Sequence, residues 1–172
     1  MARRSQIFVL LVLAGCGGKL ATPSPTTPEP GSLEANGTIE FVVDGDTVDV
    51  IVGGKQERVR LIGIDTPEIA HQGKPAPSEC FGDEATAFTT SLLPVGTPIR
   101  LERDVVARDD YGRILGYVYR AGDGIFVNYE IVRHGYAQPL TIPPNVIFSK
   151  LMVEGARDAE SDQAGLWAAC RT

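Results

Sequence analysis

The chain has 172 residues, of which 43% are hydrophobic, 22% charged and 7% aromatic, which suits one globular domain with some non-globular sequence attached. Its longest uninterrupted apolar run, 7–14, is far shorter than the ~20 residues that cross a bilayer as a helix, so a polytopic membrane protein is excluded. Sixteen Lys and Arg against 22 Asp and Glu leave a net charge of −6, so any nucleic acid has to be met by a local cluster of cations.

Arg3 and Arg4, the apolar run and then Leu13-Ala14-Gly15-Cys16 have the three parts of a secretory signal: a basic start, a short apolar centre and small residues at a cleavage point. A cleavage point ending in Cys resembles the lipobox of bacterial lipoproteins, which implies removal of residues 1–16 and lipidation of Cys16 as the new N-terminus. At ~0.8 kcal/mol per buried methylene, several acyl chains anchor a protein without a spanning helix. The expected location is the cell envelope, or the exterior if the anchor is released. Residues 17–36 (GGKLATPSPTTPEPGSLEAN) carry four prolines and little that is large and apolar, so a flexible, semi-stiff tether is expected there. The folded domain is then 37–172, and the processed chain, with 14 basic against 22 acidic residues, stands at −8.

Residues 38–43 (TIEFVV) and 47–52 (TVDVIV) are β-rich runs joined across Asp44-Gly45-Asp46, which predicts a tight hairpin. After Gly53-Gly54, residues 58–62 (RVRLI) alternate as a third strand. Phe81, Ala85, Phe88 and Leu92 fall at helical spacing, with Pro94 as a stop. Residues 99–103 and 114–119 read as two further strands, 128–134 as a short helix ending at Gly135, and 148–164 as a longer one. This order, with its short strands, predicts a small closed barrel with helices packed on it, in the α+β class.

Three stretches would bring oxygen ligands and arginines together at the strand connections: VDGDT (43–47), RLIGIDTPE (60–68) and DYGR (110–113). Asp46 and Asp65 are hard oxygen donors of the kind Ca²⁺ takes, whereas zinc would call for His and Cys, of which the domain has too few. Glu68, held on its turn by Pro67, suits a proton acceptor. Arg60 and Arg113 carry forked donors that match two phosphate oxygens and the charge that grows on them during attack.

In order and spacing, VDGDTV, VRLIGIDTPE and DDYGRILGYVY closely resemble the thermonuclease (staphylococcal nuclease-like) family, over roughly residues 37–167. The resemblance implies a five-stranded OB-fold barrel with three helices and Ca²⁺-dependent endonucleolytic cleavage of DNA and RNA that leaves 3′-phosphate ends. By position, Asp46 and Asp65 match the family's calcium carboxylates and Thr66 its carbonyl ligand. Arg60 and Arg113 match its phosphate-binding arginines, Glu68 its catalytic carboxylate and Tyr111 a tyrosine near the substrate phosphate. Two departures stand out. Residues 138–145 (QPLTIPPN) lack the tyrosines that stack on the base in the family's best-known member. The loop between Glu68 and Cys80 carries a single Lys, Lys74, as a candidate substrate contact where that member is richly basic.

The rival reading is an OB-fold module that holds oligonucleotide or a protein partner at the cell surface without cleaving it; such a module has no need of a carboxylate at 68. His71 and His134 have no partner at metal-ligand spacing and read as surface or capping residues. Tyr117 and Tyr119 read as packing, with base stacking as the alternative, and Trp167 as the anchor of the last helix. Once Cys16 is assigned to lipid, Cys80 and Cys170 remain as an even pair in an exported domain, and a disulfide between them is expected. The protein is expected to be a monomer.

Overall fold

A computed structural model describes residues 31–70 and 77–170. Its elements in chain order are β1 (Gly37–Asp44), β2 (Thr47–Val52), β3 (Lys55–Leu61), β4 (Gly63–Asp65), α1 (Gly82–Leu92), β5 (Pro98–Glu102), β6 (Ile114–Arg120), α2 (Val127–Arg133), β7 (Gln138–Leu140), α3 (Ser149–Ser161) and α4 (Leu166–Ala169). Five strands close into a barrel in the order β1-β2-β3-β6-β5, the architecture read from the sequence. The β1–β2–β3 meander is antiparallel, and closure comes from the parallel pairing of β3 with β6, Val59 opposite Ile114 and Leu61 opposite Gly116. That parallel seam sets the ends of two distant sequence stretches, around residues 60 and 113, side by side.

Val48, Val50, Val59, Leu61, Ile99 and Val118 are completely buried in the barrel, and each such side chain contributes roughly 1.5–3 kcal/mol relative to exposure. Slipping one residue along β2–β3 would turn these valines outward, which fixes the register on which the site depends. Asn128, also completely buried, ties α2 to the barrel: its Oδ1 accepts from Val118 N at 2.9 Å and its Nδ2 donates to Ile62 O at 2.9 Å.

Three elements go beyond the sequence reading. The three-residue strands β4 and β7 pair with each other, Asp65 opposite Gln138, outside the barrel proper. Helix α4 adds a fourth helix to the three expected, docked where Leu166 N donates to Gly135 O at 2.8 Å. The barrel's contacts also begin before residue 37, because Leu33 N donates to Ala121 O at 2.8 Å and Asn36 exchanges two hydrogen bonds with the backbone of Leu101. The short strands escaped notice because three residues show no period.

Tyr117 and Tyr119 are buried at 2% and 3% exposure, which decides for packing over base stacking. Trp167 packs against the core, as expected of an anchor. Cys80 and Cys170 are joined by a disulfide, with Cα atoms 5.8 Å apart. No helix among the described residues is long and apolar enough to cross a membrane. Residues 1–30, with Cys16, and the loop residues His71 and Lys74 lie outside the described residues.

Candidate active site

The site begins at the β1–β2 turn. Asp44 pairs with Thr47, leaving Gly45 and Asp46 at the tip, and Thr47 lies opposite Arg60 on β3. Gly45 is needed for room: a Cβ there would meet the Thr66 side chain at 2.7–2.8 Å. This close approach lets Thr66 reach Asp46 twice, through its backbone N at 2.9 Å and its Oγ1 at 3.0 Å, both onto Asp46 Oδ2. The other carboxylate oxygen, Oδ1, accepts from Thr47 Oγ1 at 3.2 Å.

Arg60 joins the two carboxylates read as metal ligands. Its Nη2 lies 3.0 Å from Asp46 Oδ2 and 2.9 Å from Asp65 Oδ1, while its Nη1 donates to the carbonyls of Leu61 and Ile64 at 2.6 and 3.0 Å. The guanidinium read as a phosphate clamp is thus already the countercharge of Asp46 and Asp65, and it meets a phosphate only by sharing or leaving them. Asp46 is 6% exposed, and burial pushes its carboxyl up to about 6 against the pull of Arg60 and the Thr66 hydrogen bonds. Asp65 is exposed.

Arg113 approaches from the far side of the parallel seam. Its Nε donates to Asp109 Oδ2 at 2.7 Å, and its backbone N donates to Asp109 Oδ1 at 2.9 Å. Burial pushes the Asp109 carboxyl up, but the hydrogen bonds from Arg113 outweigh it and leave it below the usual carboxylate range. Among the described residues the terminal nitrogens of Arg113 make no hydrogen bond, so its stem is held through Nε while its fork keeps its donors unused on the cleft lining. Tyr111 is 87% exposed, with the Arg113 guanidinium 5.5 Å from its ring centroid.

Arg60, Tyr111 and Arg113 line one cleft of about 360 Å³. Leu140, Ile142, Pro143, Pro144 and Asn145 also line it, so the stretch without tyrosines contributes mainly aliphatic residues to the cleft. Asn145 fixes that stretch by donating to Val106 O at 3.0 Å and accepting from Val106 N at 2.8 Å. Glu68 lies two residues beyond Thr66 on the loop after β4, exposed and not among the residues that line the cleft; among the described residues its carboxylate makes no hydrogen bond, and its backbone is held by Glu79.

The structure therefore brings Asp46, Arg60, Asp65 and Thr66 into direct contact and sets Arg113 and Tyr111 along the same cleft as Arg60. Asp109, Asn145 and Glu79 were missed from sequence. Asp109 carried a usable signal, an acid four residues before Arg113 in the same charged turn. Glu79 carried none, since its partner is 11 residues away across a loop.

The donor set suits a hard cation. One Arg60 nitrogen touches both carboxylates, so Asp46 Oδ2 and Asp65 Oδ1 are no farther apart than the sum of those two contacts. A carboxyl forced up by burial also marks a negative charge whose compensation is incomplete. Among the described residues no group of three or more His, Cys, Asp or Glu side chains could hold a metal, so a cation here would draw its remaining ligands from carbonyls and water.

A closed five-stranded barrel with helices packed on it, two arginines on one cleft and a carboxylate pair bonded to one of them, is a barrel of the OB class. Residues 58–169 match the family described as Staphylococcal nuclease homologue, and the chain belongs to that family. It is similar to a thermonuclease of Staphylococcus intermedius, 36% identical over 129 residues that cover 75% of this chain and 74% of that protein. A thermonuclease of Staphylococcus hyicus is 34% identical over 126 residues, covering 73% and 72%. The endonuclease YhcR of Bacillus subtilis (strain 168) is 32% identical, covering 95% of this chain but 14% of its own length. Family and relatives together support a nuclease function.

Proposed function

We propose that the protein is a calcium-dependent endonuclease that hydrolyses extracellular DNA or RNA to 3′-phosphate ends, held at the cell envelope by a lipid on Cys16. The observation that carries this reading is the cleft shared by Arg60, Tyr111 and Arg113, with the Asp46–Asp65 pair bonded to one of its arginines.

Arg113 receives the phosphate: Asp109 holds its Nε, so two terminal nitrogens face the phosphate oxygens in a planar fork. Tyr111, at the cleft mouth, borders the incoming strand. Asp46, Asp65 and the Thr66 carbonyl would hold Ca²⁺, which supplies positive charge against a phosphoryl oxygen when bound. Arg60, released in part from the carboxylates it now neutralises, adds charge to the equatorial oxygens as they become more negative. Glu68 accepts the proton of the attacking water. The new bond joins that water's oxygen to phosphorus, the bond from phosphorus to the 5′ oxygen breaks, and the 5′ oxygen leaves with a proton from surrounding water. The 3′ fragment end keeps the phosphate. The aliphatic lining around Ile142 offers a base no stacking partner, which favours cleavage with little base preference.

The test is incubation of the protein with single- and double-stranded DNA and with RNA, in Ca²⁺ and in chelator, followed by end-group analysis. Shortened products bearing 3′-phosphate in Ca²⁺ alone are expected. Binding without cleavage under every condition would establish the non-catalytic module instead, and cleavage undiminished in chelator would remove calcium from the reading.

A further inference from the structure

Glu68 projects from a loop with no hydrogen bond on its own carboxylate among the described residues, yet a general base must be held to a fraction of an ångström for efficient proton transfer. Its backbone supplies the missing constraint. Glu68 N donates to Glu79 Oε2 at 3.0 Å, and Glu79 N donates to Glu68 O at 2.8 Å, so the two residues grip each other reciprocally across the loop. A second rung lies beside the first: Ala70 N donates to Ser78 Oγ at 3.0 Å, and Ser78 Oγ donates to Asp83 Oδ1 at 3.0 Å, in the first turn of α1. Gly82 closes the grip from below, since a Cβ there would stand 2.5 Å from Glu68 O.

The Glu79 side of the grip is itself fastened. Cys80, the next residue, is tied by the disulfide to Cys170 at the end of α4, which is docked on the end of α2. Phe81 follows with φ 72°, a left-handed conformation that a bulky residue adopts only when its surroundings hold it there. Its ring stacks on Tyr136 at 5.3 Å, and Tyr136 in turn stacks on Phe88 of α1 at 4.0 Å. A strained residue locked between a disulfide and an aromatic stack is more than a loop needs merely to turn.

We infer that Glu79 is a positioning residue for the reaction: its carboxylate and amide fix the backbone of Glu68, and the Cys80–Cys170 bridge and the Phe81 stack hold Glu79 in place. This rests on the reading of Glu68 as the proton acceptor, and the experiment keeps the two apart.

Steady-state cleavage of a single-stranded oligonucleotide in Ca²⁺ is measured for the parent, Glu68→Gln, Glu79→Ala, Glu79→Gln, the double variant Glu68→Gln/Glu79→Ala, and Ser78→Ala, each with a melting curve. Glu79→Ala is expected to lower kcat by ~10-fold to 10², the cost of a base displaced by about an ångström, with KM within about threefold. Glu79→Gln keeps an acceptor oxygen for Glu68 N and is expected to restore most of kcat. In the Glu68→Gln background, removal of Glu79 is expected to add less than about twofold, because no base is left to position. Ser78→Ala cuts the second rung at a half-buried position and is expected to lower kcat alone, by a smaller factor; if Glu79→Ala fails to fold, Glu79→Gln with parent-like kcat and Ser78→Ala with a lowered kcat support the grip, and an unchanged kcat in Ser78→Ala overturns it. Parent-like kcat in Glu79→Ala alongside a slow Glu68→Gln would overturn the positioning role and leave the nuclease reading intact. A kcat loss in Glu79→Ala that Gln does not restore, or that multiplies in the double variant, also overturns it. Full activity in Glu68→Gln would remove the base assignment and this inference with it.

Discussion

Asp46→Asn should make the metal-free protein more stable while it weakens the site. Burial raises the Asp46 carboxyl from its ordinary 3.8 to about 6, with Arg60 pulling it down less strongly than burial pushes it up. At ~1.4 kcal/mol for each tenfold in proton affinity, keeping this group ionised costs the folded protein about 3 kcal/mol near neutrality. Because the folded value lies above the unfolded one, the favourable contribution is fully present below pH 3.8 and is lost as pH rises through about 6. Asn keeps the shape and an oxygen for Thr66 N and Oγ1, and Arg60 keeps Asp65 and two carbonyls. The value of about 6 already includes the pull of Arg60, so the gain at pH 8 is expected to be of the order of that cost, about 1–3 kcal/mol.

The assay is urea unfolding in chelator from pH 4 to pH 8, parent against variant. The difference should be small at pH 4, grow across the window between 3.8 and about 6, and be level above pH 7. Taking the difference removes the opposite contributions of carboxylates held low in the folded protein, such as Asp109 and Asp123, which are common to both chains. With Ca²⁺ added, the parent should gain stability by mass action and the variant much less. A variant less stable than the parent at pH 8, or one whose stability follows pH as the parent's does, would refute the account of Asp46 as a buried charge awaiting a cation.

Arg113→Lys should lower kcat/KM by ~10² or more, since an ammonium keeps the charge but loses both the planar fork and the Nε contact with Asp109; steady-state kinetics check this. The cleft offers two arginines to the backbone, so log kcat/KM against log salt should fall with a slope of about −2 or shallower, and a slope steeper than about −4 would mean that other cations bind the strand. Reducing Cys80–Cys170, which closes a separation of 90 residues, should cost roughly 2–4 kcal/mol in urea unfolding, and the protein that stays folded should still cleave but with a lower kcat, because Glu79 loses part of its support.

How much was legible beforehand divides along physical lines. Barrel strands and long helices have a period, so 47–52 and 81–92 could be read directly, and the DGD, IDTPE and DYGR stretches carried the site because each is local in sequence. The contacts that tune those groups are not local. Arg60 binds Asp46 only because β3 pairs with β2 at Thr47, and a guanidinium expected to await phosphate is found neutralising carboxylates instead. The Glu68–Glu79 grip, the Asn145–Val106 pair and the short β4–β7 sheet likewise join residues through tertiary approach that no spacing announces. Leu33 and Asn36 sit in sequence that reads as tether, yet four hydrogen bonds to the backbone of Ile99, Leu101 and Ala121 fasten them to the barrel.

Two costs on folding meet around this site. Asp46 is ionised where burial opposes it, and Phe81 stands in a left-handed conformation that costs a bulky residue about 1–3 kcal/mol. A single substitution, Asn at 46 or Gly at 81, would relieve either one without altering a barrel strand. Both lie against the segment from Thr66 to Glu68: Asp46 through the two Thr66 hydrogen bonds, Phe81 through the Glu79–Gly82 turn that grips Glu68. Stability alone gives no reason for a buried charge and a strained aromatic to converge on one short loop. On the proposed reading, a cation held on one side of that loop and a base fixed on the other would account for both.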